Sequence, residues 1–433
     1  ALIGGKRCHR AEVYPEMLCQ EILYGLLEQM KDDGRILDGC LGSIAKYEET
    51  GSEYQEQFRQ YWDDITGREL DPAKVKVARQ EEMAEFRKHE VYVKVPIEEC
   101  WAKTNKAPIG VRWVDINKGD TKNPKYRSRL VAKEFKFQAW GGSDDLFAAT
   151  PPVEAKKMLL SLALTESFGY DRRGKAPRLK VDCIDVKRAF FHVKCRRDVY
   201  VELPEEDAEP GMCGKLVKAM YGTRDAPQNW EFEYGEFMEE IGFVKGVSTP
   251  CLFYHEPKNL RVVVYGDDFT VLGDEKALDW FRVEIKKRFE VECKARIGGQ
   301  PGDDPHVFLL NRPITWDQGG IRYEADQRHV EIILRDLGLD KNSQGVVTPA
   351  SRLTVAEVEN PGAELEGKPA TMYRAVVARA NYLSQDRSDI RYAVNELSRS
   401  MSKPTENDLL RLKRLGHLIG VRLQEHLVIN LFF

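Results

Sequence analysis

The 433-residue sequence lacks several features that would assign it to particular classes of protein. Its nine cysteines are scattered without a Cys-x-x-Cys pair, and the adjacent Cys8 and His9 have no second pair at zinc-finger spacing. We therefore expect free thiols in a reducing compartment. No apolar run approaches the roughly 18 residues of a membrane span, so no membrane partner is expected. The start shows no signal-peptide pattern, and because it begins with Ala1 we expect a fragment of a longer product.

Charge is nearly balanced over the whole chain but unevenly distributed along it. The formal net charge is −4, whereas bases outnumber acids from Arg172 to Arg197 and from Lys118 to Lys136. A cationic groove would suit a polyanionic ligand, although basic stretches are more often solvated faces. The hydrophobic content of 42% and aromatic content of 10% indicate a folded protein, and the length predicts two or three subdomains.

Apolar periodicity predicts a mixture of helices and strands without repeats. Strands are predicted in the segments 91–95, 109–114, 126–133, 179–186, 199–204, 248–254, 262–264, 269–272, 307–310 and 320–323. Helices are predicted at 17–30, 72–86, 153–168, 231–241, 277–289 and 326–337, with two or three more within 371–420. A Pro/Gly/Glu-rich loop or linker is expected over 340–370.

The most informative stretch is the turn Tyr265-Gly266-Asp267-Asp268. Val-rich, alternating segments flank it on both sides, which predicts a hairpin, and Gly266 tolerates the backbone angles of a tight turn. An isolated Gly-Asp-Asp is more often a solvated acidic turn. Two carboxylates at the tip of a buried hairpin, however, are costly without a neutralising cation such as Mg²⁺.

A third carboxylate, Asp185, ends the predicted strand 179–186. If the sheet places this strand beside the hairpin, Asp185, Asp267 and Asp268 meet and can bind two divalent ions about 4 Å apart, as nucleotidyl transfer requires. Asp182 competes for this role, but it lies three residues upstream and faces the other side of the strand. We favour Asp185 because of its position at the strand end and because the aromatic Phe190 follows five residues later.

Two arginines of the strand 126–133 provide a candidate site for phosphate groups. Arg127 and Arg129 share one face because side chains alternate along a strand. Two guanidinium groups on one face can bind phosphate oxygens in a forked geometry. An exposed hairpin face without a ligand explains the pattern about equally well.

Several motifs in a fixed order resemble the reverse transcriptase region of copia-type (Pseudoviridae-like) retrotransposon polyproteins. The resemblance covers about residues 80 to 420. The motifs are Arg112-Trp113-Val114, Tyr126 to Lys133, Asp185 to Phe190, Met220-Tyr221-Gly222 through Ala226-Pro227 to Trp230, Pro250 to Phe253, the Asp-Asp hairpin, and Tyr373-Arg374 to Tyr382-Leu383 followed by Arg387 to Val394. Each motif is weak alone, and the seven together are strong.

The resemblance implies an α+β fold of the right-hand polymerase type, with an antiparallel palm sheet packed on helices and with helical N- and C-terminal segments. We expect a helical segment or linker over 1–78, fingers and palm over 79–345 (fingers about 80–180, palm about 180–320) leading into a thumb, and a thumb or connection-like segment over 346–433. No RNase H domain is recognisable in the last part, so no RNase H activity is expected in this chain.

The resemblance also implies roles for individual residues. Asp185, Asp267 and Asp268 match the family's catalytic triad, and the backbone of Val186 joins the metal ligands. The predicted nucleotide-binding residues are Arg127, Arg129, Phe190, Asp225, Tyr265 and Gly266. A ring at Phe190 would clash with a 2′-hydroxyl and so favour deoxynucleotides. Phe308, Leu309 and Leu310 resemble the hairpin that grips the primer end.

The implied function is RNA-directed DNA synthesis with two Mg²⁺ ions, which Mn²⁺ can replace. The implied partners are an RNA or DNA primer–template duplex, deoxynucleoside triphosphates, and the integrase and RNase H regions of the same polyprotein. We expect an intracellular location, in cytoplasmic virus-like particles and in the nucleus.

Two alternatives to this function stay open at this point. An RNA-dependent RNA polymerase also carries Gly-Asp-Asp, but the position where it needs a further Asp is Phe190. A catalytically degenerate remnant would keep nucleic-acid binding without synthesis. Asp225, where the family usually has Gln, puts nucleotide handling in doubt, whereas Gly266 in place of the common Val is expected to be tolerated.

Overall fold

The computed structural model describes residues 60–120, 122–134, 148–165, 179–317, 319–339, 345–350, 362–421 and 427–430, and the single residues 146, 343, 355 and 360. All of these residues belong to one compact unit, Gln60–Phe433. The helix expected at 17–30 and most of the 1–78 segment lie outside the described residues, as does much of the expected loop over 340–370. No described helix is long and apolar enough to cross a membrane.

The described helices begin and end at the following residues. They are α1 (Pro72–Lys88), α2 (Ile97–Thr104), α3 (Val153–Leu164), α4 (Ala226–Glu240), α5 (Glu275–Arg288), α6 (Gln327–Asp336), α7 (Gly367–Leu383), α8 (Ser388–Arg399) and α9 (Glu406–Val421). Short 3₁₀ turns occupy Ala189–His192, Glu205–Asp207 and Glu256–Lys258. Local chemistry explains several of these bounds. Asp71, for example, caps α1 by accepting hydrogen bonds from two backbone N–H groups, and Pro72 takes the first helical position.

The described strands are numbered in chain order. They are β1 (Tyr61–Trp62), β2 (Glu69–Leu70), β3 (Tyr92–Pro96), β4 (Val111–Asn117), β5 (Tyr126–Ala132), β6 (Lys180–Val186), β7 (Tyr200–Val201), β8 (Met212–Leu216), β9 (Val244–Lys245), β10 (Leu252–His255), β11 (Leu260–Tyr265), β12 (Asp268–Gly273), β13 (Val291–Ile297), β14 (His306–Leu309), β15 (Arg312–Asp317), β16 (Gly320–Tyr323) and β17 (Leu427–Asn430).

A six-stranded antiparallel sheet of order β13-β6-β12-β11-β10-β9 forms the centre of the fold. Helices cover both of its faces, so its strands are apolar on both sides. Val262 and Val264 pack with α4 and α5, whereas Val263 points to the opposite face, towards α3. Burial of each such side chain contributes roughly 1.5–3 kcal/mol. The rigid central sheet confirms the predicted α+β class with an antiparallel sheet packed on helices.

Smaller sheets and a helical cluster surround the central sheet. Strands β3-β8-β7 and the hairpin β4-β5 share an apolar core with α1. Strands β14-β15-β16-β17 form a further sheet, and helices α6 to α9 pack around Tyr373, Ile390 and Leu415. The expected division into fingers, palm and thumb stays a prediction.

Some elements differ from the sequence-based expectations. Within the segment expected to be helical, residues 61–70 form the hairpin β1-β2, because the Asp63 carboxylate accepts hydrogen bonds from the backbone of Ile65, Thr66 and, on β4, Asn117. Strand β7 has two residues where six were expected. Strands β8, β9, β13, β15 and β17 and helix α2 were not predicted. Strand β13 was missed because three of its seven residues, in the sequence Val-Glu-Cys-Lys-Ala-Arg-Ile, are charged.

Asp182 on β6 is completely buried and serves a structural role. Its carboxylate accepts paired hydrogen bonds from Arg282 of α5 and from Arg296 of β13, at 2.6–2.9 Å. The side chain therefore points to the face opposite Asp185, as the strand alternation predicts. Two guanidinium groups neutralise this buried charge and join α5 to the edge of the sheet.

We predict that Asp182→Asn lowers the free energy of unfolding by about 3–5 kcal/mol, because it leaves two guanidinium groups without their buried counter-charge. Asp279→Asn is the matched control: Asp279 contacts the same Arg296, but it is largely exposed, so the loss should stay below about 1 kcal/mol. Denaturant unfolding of both variants measures the difference. Equal losses of unfolding free energy in the two variants would show that the buried pairing of Asp182 contributes no more than the exposed pairing of Asp279.

Candidate active site

Asp185, Asp267 and Asp268 converge at one end of the central sheet. Asp268 is the register partner of Asp185 across β12 and β6, and of Tyr265 across the hairpin. Oxygen atoms of all three carboxylates lie within 4.8 Å of one another. The predicted meeting of three residues that are distant in sequence is therefore present in the structure.

The turn that carries two of these carboxylates is fixed from both sides. Gly266 has a φ of +60°, the left-handed conformation that favours glycine. The indole Nε1 of Trp230 donates to the carbonyl oxygen of Gly266 at 2.7 Å, and the backbone N–H of Val186 donates to the carbonyl oxygen of Asp267 at 2.9 Å. The turn that carries the carboxylates is therefore held by hydrogen bonds from α4 and from the end of β6.

Repulsion among the carboxylates changes the acidity of Asp267. Burial raises the pKa of its carboxyl group above the ordinary value, and the negative charges of Asp268 and Asp185 raise it further. The ionised cluster is therefore unfavourable until a cation approaches. Such a site has the character of one that binds a hard divalent ion, because every side-chain ligand is a carboxylate oxygen.

Lys294 on β13 neutralises part of this charge. Its ammonium donates to Asp185 Oδ1 and to Asp268 Oδ1, both at 2.8 Å. Burial alone would lower the pKa of Lys294, but the two carboxylates raise it well above its usual range. Lys294 was not predicted from the sequence. A strand pattern is nevertheless present, because polar residues alternate with Val291, Cys293, Ala295 and Ile297, and it could have located β13.

A group of cations faces the carboxylates from the β4-β5 hairpin. Burial lowers the pKa of Lys118, and the neighbouring Arg127 and Arg129 lower it further, whereas Asp185 and Asp267 act in the opposite direction. Burial and Arg129 likewise lower the pKa of Arg127. Lys118, Arg127 and Arg129 therefore form a cationic group whose charge acts on Asp185 and Asp267. Lys118 was not singled out from the sequence.

Aromatic side chains connect the arginines to the residues after β6. The guanidinium of Arg129 lies over the ring of Tyr221, 4.4 Å from its centroid, and the Tyr221 ring lies 5.0 Å from that of Phe190. Phe190 is half-buried in the 3₁₀ turn, next to the fully buried Phe191. The backbone at Gly222 lies so close to β5 that a Cβ there would be 2.0 Å from the carbonyl oxygen of Ala132. This close approach holds Tyr221 against β5.

Asp225 lies at the N-terminus of α4 and is 4% exposed. Its carboxylate accepts hydrogen bonds from Arg197 at 2.7 Å and from Asn229 at 2.8 Å, and Arg197 also pairs with Glu134. These partners hold the pKa of Asp225 below its ordinary value, although burial alone would raise it. The predicted nucleotide contact of Asp225 stays a prediction, and its described partners belong to an ion-pair network.

The predicted primer hairpin is present as β14-β15. Its turn uses Leu310 and Asn311, both with positive φ. Phe308 is 66% exposed, whereas Leu309 is buried, so the hairpin presents one aromatic ring outwards. Leu309 and Leu310 lie beside Tyr265 around a shared small cavity.

A second cluster of potential metal ligands consists of Glu85, His89 and Glu290. Here Lys88 pairs with Glu290 at 2.8 Å and with Glu85 at 3.4 Å, and Arg188 also pairs with Glu85. Because cations of the chain already balance these carboxylates, this cluster has the character of an ion-pair network. Burial, followed by Lys88, lowers the pKa of His89.

Comparisons with known proteins identify the family of the chain. The family model described as reverse transcriptase (RNA-dependent DNA polymerase) matches residues 99–350. The chain is 27% identical over 341 residues to the retrovirus-related Pol polyprotein from transposon TNT 1-94 of Nicotiana tabacum, covering 76% of this chain and 24% of the relative. It is also 27% identical over 325 residues to the corresponding polyprotein from transposon RE1 of Arabidopsis thaliana, covering 72% and 20%.

The chain thus spans a quarter or less of the length of these two polyproteins. Among solved structures, a foamy viral protease-reverse transcriptase in complex with dsDNA is similar with 13% identity and a TM-score of 0.39, covering 86% of this chain and 60% of that one. The match of the family model extends over more than half of the sequence and includes the three aspartates. The chain therefore belongs to the reverse transcriptase (RNA-dependent DNA polymerase) family, and it is a copia-like member, as the sequence motifs predict.

Proposed function

We propose that this chain catalyses RNA-directed DNA synthesis, extending a primer by nucleotidyl transfer with two divalent metal ions. The observation that carries the proposal is the convergence of Asp185, Asp267 and Asp268 within 4.8 Å on a rigid turn. Family membership supports the same chemistry. The substrates are deoxynucleoside triphosphates and a primer on an RNA or DNA template.

The three carboxylates, with the backbone of Val186, would hold the metal ions, for which Mg²⁺ is the best candidate and Mn²⁺ a substitute. When bound, such ions activate the primer 3′-hydroxyl and neutralise charge on the leaving pyrophosphate. The chain supplies position and charge. Because Lys294 contacts two of the three carboxylates, a metal ion bound there would compete with its ammonium for these ligands.

The cations on β4 and β5 are suited to the triphosphate. Arg127 and Arg129 can fork onto phosphate oxygens, and the neighbouring Lys118 adds a third charge. Phe190 would lie beside the sugar and exclude a 2′-hydroxyl, while Asp225, Tyr265 and Gly266 would border the nucleotide. Phe308, Leu309 and Leu310 would contact the primer end. Phosphate contacts of this kind make duplex binding sensitive to salt.

The polyprotein relatives motivate a proposal about the wider setting of the chain. We propose that integrase and RNase H regions of one polyprotein cooperate with this chain, in cytoplasmic virus-like particles and in the nucleus. A degenerate remnant that binds nucleic acid without synthesis is the alternative. Purified protein with primed poly(rA), deoxythymidine triphosphate and Mg²⁺ or Mn²⁺ distinguishes the two, because normal duplex binding without extension would favour the remnant.

We predict that Asp267→Asn abolishes primer extension, a loss of at least about 100-fold by analogy with the removal of one transition-state contact, while duplex binding stays within about twofold. The exposed Asp279, which lies outside the cluster, provides the control variant Asp279→Asn with near-normal activity. Extension assays and duplex titrations measure both quantities. Parallel loss of extension and duplex binding in Asp267→Asn would contradict a metal-binding role.

We predict that Phe190→Val admits ribonucleotides, because the smaller side chain no longer fills the space beside the sugar. The ratio of kcat/KM for deoxynucleotide to that for ribonucleotide should fall by about 10-fold or more, which corresponds to roughly 1.4 kcal/mol. Phe190→Tyr keeps the ring and should keep the ratio. Unchanged discrimination in the valine variant would remove Phe190 from its assigned position.

We predict that Asp267→Asn raises the melting temperature of the metal-free protein at neutral pH. Because the folded-state pKa of Asp267 lies above its ordinary value, its contribution to stability is present at low pH and is lost as the pH rises through that raised value. The wild type should therefore fall below the variant in EDTA as the pH rises, and Mg²⁺ should restore the wild type selectively. Melting curves at several pH values test this. A variant that is less stable than the wild type in EDTA at neutral pH would contradict it.

A further inference from the structure

A small cavity lies behind the Asp-Asp hairpin, between three elements of the fold. Its volume is about 20 Å³, which is sufficient for one water-sized group. The cavity lies between the start of α3, Tyr265 of the hairpin and the β14-β15 turn. Its lining includes Lys156, Tyr265, Leu309, Leu310, Arg312 and Tyr323.

Two buried cationic side chains of this lining each have one nitrogen atom without a hydrogen-bond acceptor, although Arg312 is paired with Asp386 through its Nε. Lys156 is 5% exposed and Arg312 is 3% exposed. Among the described residues, nothing accepts a hydrogen bond from Lys156 Nζ or from Arg312 Nη2. The ammonium of Lys156 instead lies over the Tyr265 ring, 5.0 Å from its centroid. Buried N–H donors without an acceptor are costly, and a charged donor more so than a neutral one.

The nearby carboxylate is already used by other cations. Asp386 accepts from Arg312 Nε at 2.6 Å and lies 3.0 Å from Lys157 Nζ. Asp268, whose negative charge acts on Lys156, is bound to Lys294. Lys157 and Arg312 thus share the Asp386 carboxylate, and the ammonium of Lys156 adds a further positive charge beside the cavity.

The volume of the cavity and the charges of its lining side chains together limit which ligand can bind. A group that accepts hydrogen bonds from both nitrogens and also carries negative charge would satisfy the donors and reduce the charge excess. A phosphate is too large for a space of about 20 Å³, in which roughly one water fits. A divalent ion held by the three aspartates would add further positive charge nearby, and so would strengthen the preference for an anion.

We propose that this cavity binds a single halide ion, chloride under physiological conditions, between Lys156 Nζ and Arg312 Nη2. Burial lowers the pKa of Lys156 to about 8, so its amine is protonated at pH 7 and donates to the ion. The ion joins α3 to the β14-β15 hairpin behind Tyr265 and stabilises the support of the carboxylate turn. The proposal does not depend on polymerase activity, because stability and ion density are its readouts.

Thermal unfolding of the full chain without nucleic acid tests the proposal. At constant ionic strength and pH 7, replacement of gluconate by chloride or bromide should raise the Tm by about 2 °C and should saturate. Lys156→Met should abolish this shift. Lys103→Met, which removes an exposed lysine on α2, should retain it. Identical Tm values in gluconate and halide for the wild type, or an equal shift in Lys156→Met, would overturn the proposal.

Diffraction from wild-type crystals prepared in bromide gives a second test that needs no variant. The anomalous signal of bromide should produce a peak within hydrogen-bonding distance of both Lys156 Nζ and Arg312 Nη2. A cavity that holds only water under these conditions would overturn the proposal, whatever the primer-extension assay shows.

Discussion

The pairing of β6 with β12 is the constraint on which the rest of the site depends. It places Asp268 opposite Asp185 and, through the tight turn at Gly266, brings Asp267 to the same point. Like charges would separate if they were on flexible segments. Here the apolar packing on both faces of the sheet fixes the strands. The free energy gained by burying these apolar side chains therefore offsets the repulsion within the charge cluster. A cation then binds where the fold has already concentrated the negative charge.

Cations of the chain divide into those that balance structural carboxylates and those that face the site. Arg282 and Arg296 are used by Asp182, on the face of β6 that points away from the cluster. Lys294 bridges two carboxylates of the cluster itself, whereas Lys118, Arg127 and Arg129 approach from the opposite hairpin. Alternation along one strand therefore separates a stabilising aspartate from a functional one only three residues away.

The sequence was sufficient to predict those features that depend on local pattern. The hairpin at Gly266, the strand that ends at Asp185, the helix α4 and the shared face of Arg127 and Arg129 each follow from periodicity or turn chemistry. The strand β13 and its Lys294 were missed although the apolar residues of β13 alternate, because the residues between them are mostly charged and the segment resembles a solvated loop. The network at Asp225 and the burial of Lys156 and Arg312 around one cavity depend on contacts between distant segments, which one sequence does not reveal.

The hydrogen bond from Trp230 to Gly266 has a consequence for how the molecule moves. Trp230 belongs to α4, and the same helix begins beside Asp225, whose carboxylate is bound to Arg197 and, through it, to Glu134. The first turn of α4 therefore connects the acidic turn to Glu134, two residues after β5, through an unbroken series of hydrogen bonds. Neither segment can shift relative to the other without straining these bonds.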